Sequence, residues 1–136
     1  MSVVIDASAA ACWIFKDEAG PATDGLLTRV RDSGGVAPAL WNWEIANVII
    51  AGVRRARLTM ADASAHLADL ALLPISIDAD ATGRAWRETL ILARAHDLTA
   101  YDAAYLELAQ RSGLELASKD AALCAAAAAL GVRLAL

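Results

Sequence analysis

Short apolar runs alternate along the chain with longer stretches of helical periodicity. Ser2–Ile5, Val36–Ala37, Pro74–Ile77, Leu114–Ala117 and Val132–Leu134 are too short for helices and are bounded by charges or turn residues, which predicts strands. Helices are predicted between them over Ala7–Lys16, then over Pro21–Asp32, where Gly20-Pro21 marks the start. Another covers Leu40–Arg57, an apolar body with an Arg54-Arg55-Arg57 tail suited to the negative helix end. Thr59-Met60-Ala61-Asp62 opens the next with a capping-box pattern. Asp80–His96, Thr99–Arg111 and the alanine-rich Asp120–Leu130 complete the set, with Ser112-Gly113 stopping the second of these. Apolar strands joined by helical crossovers predict an α/β fold. Its mainly parallel central sheet is flanked by helices on both faces.

At 136 residues the chain makes one domain, spanning 1–136, with no repeat or linker. Hydrophobic residues make up 58%, but the excess is alanine, and no run approaches the ~18 to 20 apolar residues of a membrane-spanning helix. No signal peptide is expected, because Asp6 interrupts the only early apolar run and no basic region precedes it; the expected location is the cytoplasm. Cys12 and Cys124, without a CxxC motif, read as small hydrophobes rather than a disulfide pair. Net charge is −4, so the chain lacks the overall basic character of a nucleic-acid binder. Bound divalent cations would reverse that sign locally.

Four carboxylates change the picture. Asp6 ends the first apolar run, and Glu44 is the only charged residue between Asp32 and Arg54. Asp102 and Asp120 each head a helical segment. Removing a carboxylate from water without a partner costs several kcal/mol at least, roughly tens by an idealised Born estimate. The chain has only two lysines, Lys16 and Lys119, and few well-placed cations to offset that cost. Ligands of parallel α/β sheets bind beyond the carboxyl ends of the strands, where Asp6 and Asp120 fall. Taken singly, Asp6 and Asp120 read equally well as helix N-caps, and Asp102 as part of a Thr99–Asp102 capping box. Glu44 has no such explanation: its helical neighbours are Leu40, Trp41, Asn47 and Val48, not a charged face. A convergent acidic pocket is the better joint explanation, and its oxygen-only donors suit a hard divalent cation.

The residues that carry this pattern also carry a resemblance. Val3-Val4-Ile5-Asp6-Ala7-Ser8-Ala9, the Glu44 helix, Leu98-Thr99-Ala100-Tyr101-Asp102-Ala103-Ala104-Tyr105 and Ser118-Lys119-Asp120-Ala121-Ala122-Leu123 resemble PIN-domain proteins. Among these the chain is most similar to VapC toxins of prokaryotic toxin–antitoxin pairs. The likeness runs through essentially the whole chain. One departure is Ser118-Lys119-Asp120, where the family often has Thr-x-Asp; serine keeps the hydroxyl. The resemblance implies an endoribonuclease dependent on Mg²⁺ or Mn²⁺, an RNA substrate, a homodimer and a VapB-type antitoxin. Asp6, Glu44, Asp102 and Asp120 are its implied catalytic and metal-holding residues, Asp120 through a second ion or a water. Ser8 and Ser118 are candidates to orient a carboxylate.

Other residues stay with plainer readings. Tyr101 and Tyr105 fit a core stripe with Ala104 and Leu108, Trp41 and Trp43 fit the core or a subunit contact, and His66 and His96 lack zinc-ligand spacing. Three other function classes fit the sequence less well. A receiver-like phosphoacceptor domain needs paired acids after the first strand, where Asp6 stands alone, with Ile77-Asp78 the only acceptor candidate. A haloacid-dehalogenase-like phosphatase needs Asp-x-Asp, absent from Asp6-Ala7-Ser8. A non-catalytic PIN-like binding module has less reason to keep four acids.

Overall fold

The structure is a computed structural model describing residues 1–136. Strands β1 (Val3–Ile5), β2 (Gly35–Pro38), β3 (Ile75–Asp78) and β4 (Glu115–Ala117) form one sheet in the order β3-β2-β1-β4. Every pairing is parallel. Seven helices accompany them: α1 (Ala7–Ala11), α2 (Pro21–Ser33), α3 (Leu40–Arg54), α4 (Met60–Ala71), α5 (Glu88–His96), α6 (Ala100–Ser112) and α7 (Ala121–Ala129). Successive side chains of a strand point to opposite faces, and Val3, Val4 and Ile5 are all fully buried. Both faces of the sheet are therefore covered at β1, as the continuous apolar run predicts. No helix is long and apolar enough to cross a membrane.

The departures from expectation have identifiable causes. Helix α1 stops at Ala11 because its hydrogen bonds tighten to i→i+3 over Cys12, Trp13 and Ile14. That turn sends Ile14 and Phe15 into the core while the Trp13 indole donates to the Thr23 carbonyl. Helix α3 ends at Arg54, and Gly52 there lets Phe15 approach, since a Cβ would meet the Phe15 ring at 3.0 Å. Arg57 lies past the helix end, where it stacks on Phe15 and pairs with Asp17 and Glu18. Over 80–96 only Glu88–His96 is α-helical; Thr82–Arg84 is a 3₁₀ turn interrupted by Gly83, a poor helix former. The final strand shrinks to one bridge, Leu134 against Leu116, which covers the outer edge of β4. Trp41 joins the core as expected, whereas Trp43 is 77% exposed. Tyr101 likewise does not join the core stripe, at 66% exposed, while Tyr105 does. Both cysteines are free.

Candidate active site

In the order β3-β2-β1-β4, the chain leaves β1 toward β2 on one side and returns through β4 on the other. Such a reversal opens a crevice at the carboxyl ends of the two strands. Asp6 follows β1 there, and the loop Ser118-Lys119-Asp120 follows β4. The Asp6 amide continues the ladder by donating to the Ala117 carbonyl at 3.1 Å.

Asp6 is 4% exposed, and both oxygens of its carboxylate accept hydrogen bonds. Its Oδ1 accepts from the Ala9 amide at 2.8 Å, capping α1, and from the Ser8 hydroxyl at 2.7 Å. Its Oδ2 accepts a very short bond from the Ser118 hydroxyl. The two serines also tie the loop to Asp6: the Lys119 amide donates to Ser8 Oγ at 2.8 Å, and the Asp120 amide to Ser118 Oγ at 3.0 Å. Asp120 itself caps α7 by accepting from the Leu123 amide at 2.8 Å. Capping and clustering thus coexist at Asp6 and Asp120. At Asp102 the capping box is half formed: Thr99 Oγ1 accepts from the Asp102 amide at 3.1 Å, but no side-chain hydrogen bond engages the Asp102 carboxylate. Glu44 projects from the second turn of α3, and its Oε1 accepts from the Tyr105 hydroxyl.

The electrostatics join these groups. Burial pushes the Asp6 carboxyl above the ordinary carboxylate range, opposed by its hydrogen bonds and reinforced by the Asp120 charge. Glu44 is raised first by burial and then by the charges of Asp6 and Asp102, against the lowering effect of Tyr105. Asp102 is raised by burial, then by Asp120 and Asp6. Burial and the bond to Glu44 keep the Tyr105 phenol protonated, so it serves as donor. None of the four acids takes part in an ion pair. Nor do three His, Cys, Asp or Glu side chains already form a cage able to hold an ion by themselves. The arrangement is acidic and lacks ion-pair partners.

Hydrogen bonds join Asp6, Ser8, Ser118 and the Asp120 backbone, and the charges of Asp6, Glu44, Asp102 and Asp120 act on one another. The Tyr105 hydroxyl was missed, because its ring is core and the core reading was sufficient. Its spacing of three from Asp102 does set it on the same helix face. Also missed was the pairing of Asp78: Arg111 holds it at 2.7 Å and Glu107 at 2.8 Å, with Arg84 at 3.7 Å from Glu107.

Comparisons with known proteins bear on the family and the fold. Ribonuclease VapC3 of Pyrobaculum aerophilum is 28% identical over 120 residues, covering 88% of this chain and 90% of the relative. The crystal structure of PAE2754 from the same organism superposes with a TM-score of 0.68 at 29% identity, over 93% of this chain and 87% of that one. Residues 3–129 match the PIN domain, and the chain belongs to the PIN-domain family.

Proposed function

We propose that this chain is an endoribonuclease that hydrolyses RNA phosphodiester bonds with Mg²⁺ or Mn²⁺ and acts as the toxin of a toxin–antitoxin pair. One observation carries the reading: the charges of Asp6, Glu44, Asp102 and Asp120 act on one another, and none of the four has an ion-pair partner. The likeness to a VapC ribonuclease supports RNA as the substrate.

The donors fit a hard cation, being all oxygen, and Mg²⁺ keeps several waters rather than demanding a closed protein cage. Asp6, Glu44 and Asp102 would hold it, with Asp120 assisting directly or through water. When bound, a divalent cation activates a water for attack at phosphorus and neutralises charge on the phosphoryl oxygens. The protein's part is positioning. Ser8, Ser118 and the Ala9 amide fix the Asp6 carboxylate in one orientation. Tyr105 holds one oxygen of Glu44, leaving the other free, and Asp102 has both oxygens available.

The proposed partners are a VapB-type antitoxin and a second copy of the chain, which the exposed Trp43 and Ile50 of α3 suit. An antitoxin arginine reaching the pocket would compete with the cation for the same negative charge, so Mg²⁺ and that arginine should weaken each other. The toxin would act in the cytoplasm.

The test is RNA cleavage by purified protein. Cleavage is expected with Mg²⁺ or Mn²⁺ and is expected to stop with EDTA. RNA cleavage undiminished in excess chelator would sink the metal assignment, and RNA binding without any cleavage would favour a non-catalytic module.

A further inference from the structure

We infer that Tyr105 makes the acidic pocket selective for a small octahedral cation, Mg²⁺ over Ca²⁺, by holding Glu44 to one free oxygen. The inference rests on the metal-dependent reading above and adds the residue that sets its preference among ions.

A carboxylate has two oxygens and about four lone-pair sites. At Asp6 the Ala9 amide, the Ser8 hydroxyl and the Ser118 hydroxyl fill most of them. Neither hydroxyl is free to turn elsewhere, because Ser8 Oγ accepts from the Lys119 amide and Ser118 Oγ from the Asp120 amide. Asp120 gives one oxygen to the Leu123 amide, and Glu44 gives one to the Tyr105 phenol. Asp102 keeps both oxygens clear of hydrogen bonds.

The bond at Glu44 is the one that decides how an ion can be gripped. Tyr105 is 1% exposed and belongs to the apolar core, so its ring cannot follow the glutamate. Glu44 is half-buried on the second turn of α3, and its side chain has rotatable bonds enough to turn away. Turning it so that both oxygens chelate one ion would leave a buried hydroxyl without a partner, which native structures nearly always avoid. The phenol therefore favours a one-oxygen contact. Ca²⁺ takes about 6–8 oxygens and readily uses both oxygens of a carboxylate, whereas Mg²⁺ demands a near-ideal octahedron and keeps several waters. No three of the acids close on one point by themselves, which leaves water a place around a bound ion. Limiting Glu44 to one oxygen hinders Mg²⁺ little and denies Ca²⁺ a ligand it would use.

The experiment measures Mg²⁺ and Ca²⁺ affinities by titration calorimetry with no RNA present. Wild-type protein is expected to prefer Mg²⁺. Tyr105→Phe removes the hydroxyl and keeps the ring, and melting curves in EDTA establish that it is folded. It should shift the ratio of the two affinities toward Ca²⁺ by about 10-fold, the low end for loss of a group that orients a metal ligand. Lost structural support alone would weaken both ions alike and leave the ratio where it was. In a Glu44→Gln background, where the side chain offers a single oxygen, the same substitution should leave the ratio unmoved. An unchanged ratio in Tyr105→Phe overturns the inference, whether both affinities fall or neither does. So does an equal shift in the Glu44→Gln background, or a wild-type preference for Ca²⁺. Failure of the reading beneath it looks different. Wild-type protein that binds neither ion ends the metal reading and the inference together, whereas the expected shift without RNA cleavage in Mg²⁺ or Mn²⁺ ends the nuclease reading alone.

Discussion

Helix α6 contributes one acid to each of two groups that the fold treats in opposite ways. Near its C-terminal end, Glu107 is 4% exposed, and Arg111 one turn on clamps both it and Asp78. The guanidinium holds the Asp78 carboxyl below its usual range, and Arg84 adds a second cation at Glu107. At the N-terminal end Asp102 shares its surroundings with Asp6, Glu44 and Asp120, has no such partner, and is pushed upward. The chain can supply arginines to buried acids, and does so five residues away. The lack of compensation at the strand ends is therefore a feature of that place rather than of the composition.

Substitutions at each end should break in different currencies. Asp102→Asn removes charge while keeping shape, and no side-chain hydrogen bond is lost. It is expected to lower kcat/KM for RNA by roughly 1,000-fold or more, since the charge stabilisation at stake is several kcal/mol. Its melting temperature without metal should hold or rise, because like-charge repulsion is relieved. Asp6→Asn is less clean, since it also disturbs the α1 cap. Arg111→Met should do the reverse. Stranding Glu107 and Asp78 is expected to cost about 2–3 kcal/mol, less than breaking a fully buried pair because Arg111 keeps some solvent contact. Cleavage per folded molecule should change little. Chemical denaturation alongside single-turnover kinetics reads both, and a destabilised Asp102→Asn would return that residue to a capping role.

The hydroxyls around Asp6 sharpen the comparison further. Ser118→Ala leaves the acids in place but frees Asp6 to rotate, so metal affinity or activity should fall about 10- to 100-fold. Titration calorimetry with Mn²⁺ should find the loss in metal affinity rather than only in turnover. Ser118→Thr, which restores the hydroxyl, should recover it.

The smallest effect is on stability against pH. Asp6, Glu44 and Asp102 have folded pKa values above their unfolded ones, so the folded state holds more protons in that window. Their contribution is complete below the ordinary carboxylate range and is lost as pH rises through the raised values. Asp78 runs the other way, its contribution lost as pH falls through its lowered value. Metal-free protein should therefore lose some stability as pH rises through mildly acidic conditions; Asp102→Asn should flatten that decline, while Arg111→Met should steepen it by removing the opposing contribution of Asp78. A thermal-melt series in EDTA gives the slopes.

The contrast between the two ends of α6 also explains what the sequence could and could not reveal. Asp6 and Glu44 were conspicuous because each interrupts an apolar run, and period and burial are local properties. The parallel sheet followed from the same runs, since β1 is apolar on both faces. The partners were not legible. Nothing near Glu107 indicates that Arg111 also reaches across to Asp78, a separation of 33 residues. Tyr101 and Tyr105 have the same spacing logic, but only the tertiary fold decides that one faces solvent and the other ends on Glu44. Helix ends failed where long-range packing rather than propensity ended them, as where Phe15 turns inward after α1.

The pairing of the first strand with the last has a consequence for the birth of the molecule. The bond from Ser118 to Asp6 closes a separation of 112 residues. Contacts this distant in sequence form slowly, and during synthesis the N-terminal segment emerges first. While β4 is still being made, β1 has a neighbour on one side only, and Asp6 lacks its Ser118 anchor. The crevice cannot be assembled on a partial chain. A chain that has not yet made β4 cannot hold the pocket together, and any activity of this pocket begins only as the last of its acids joins the fold.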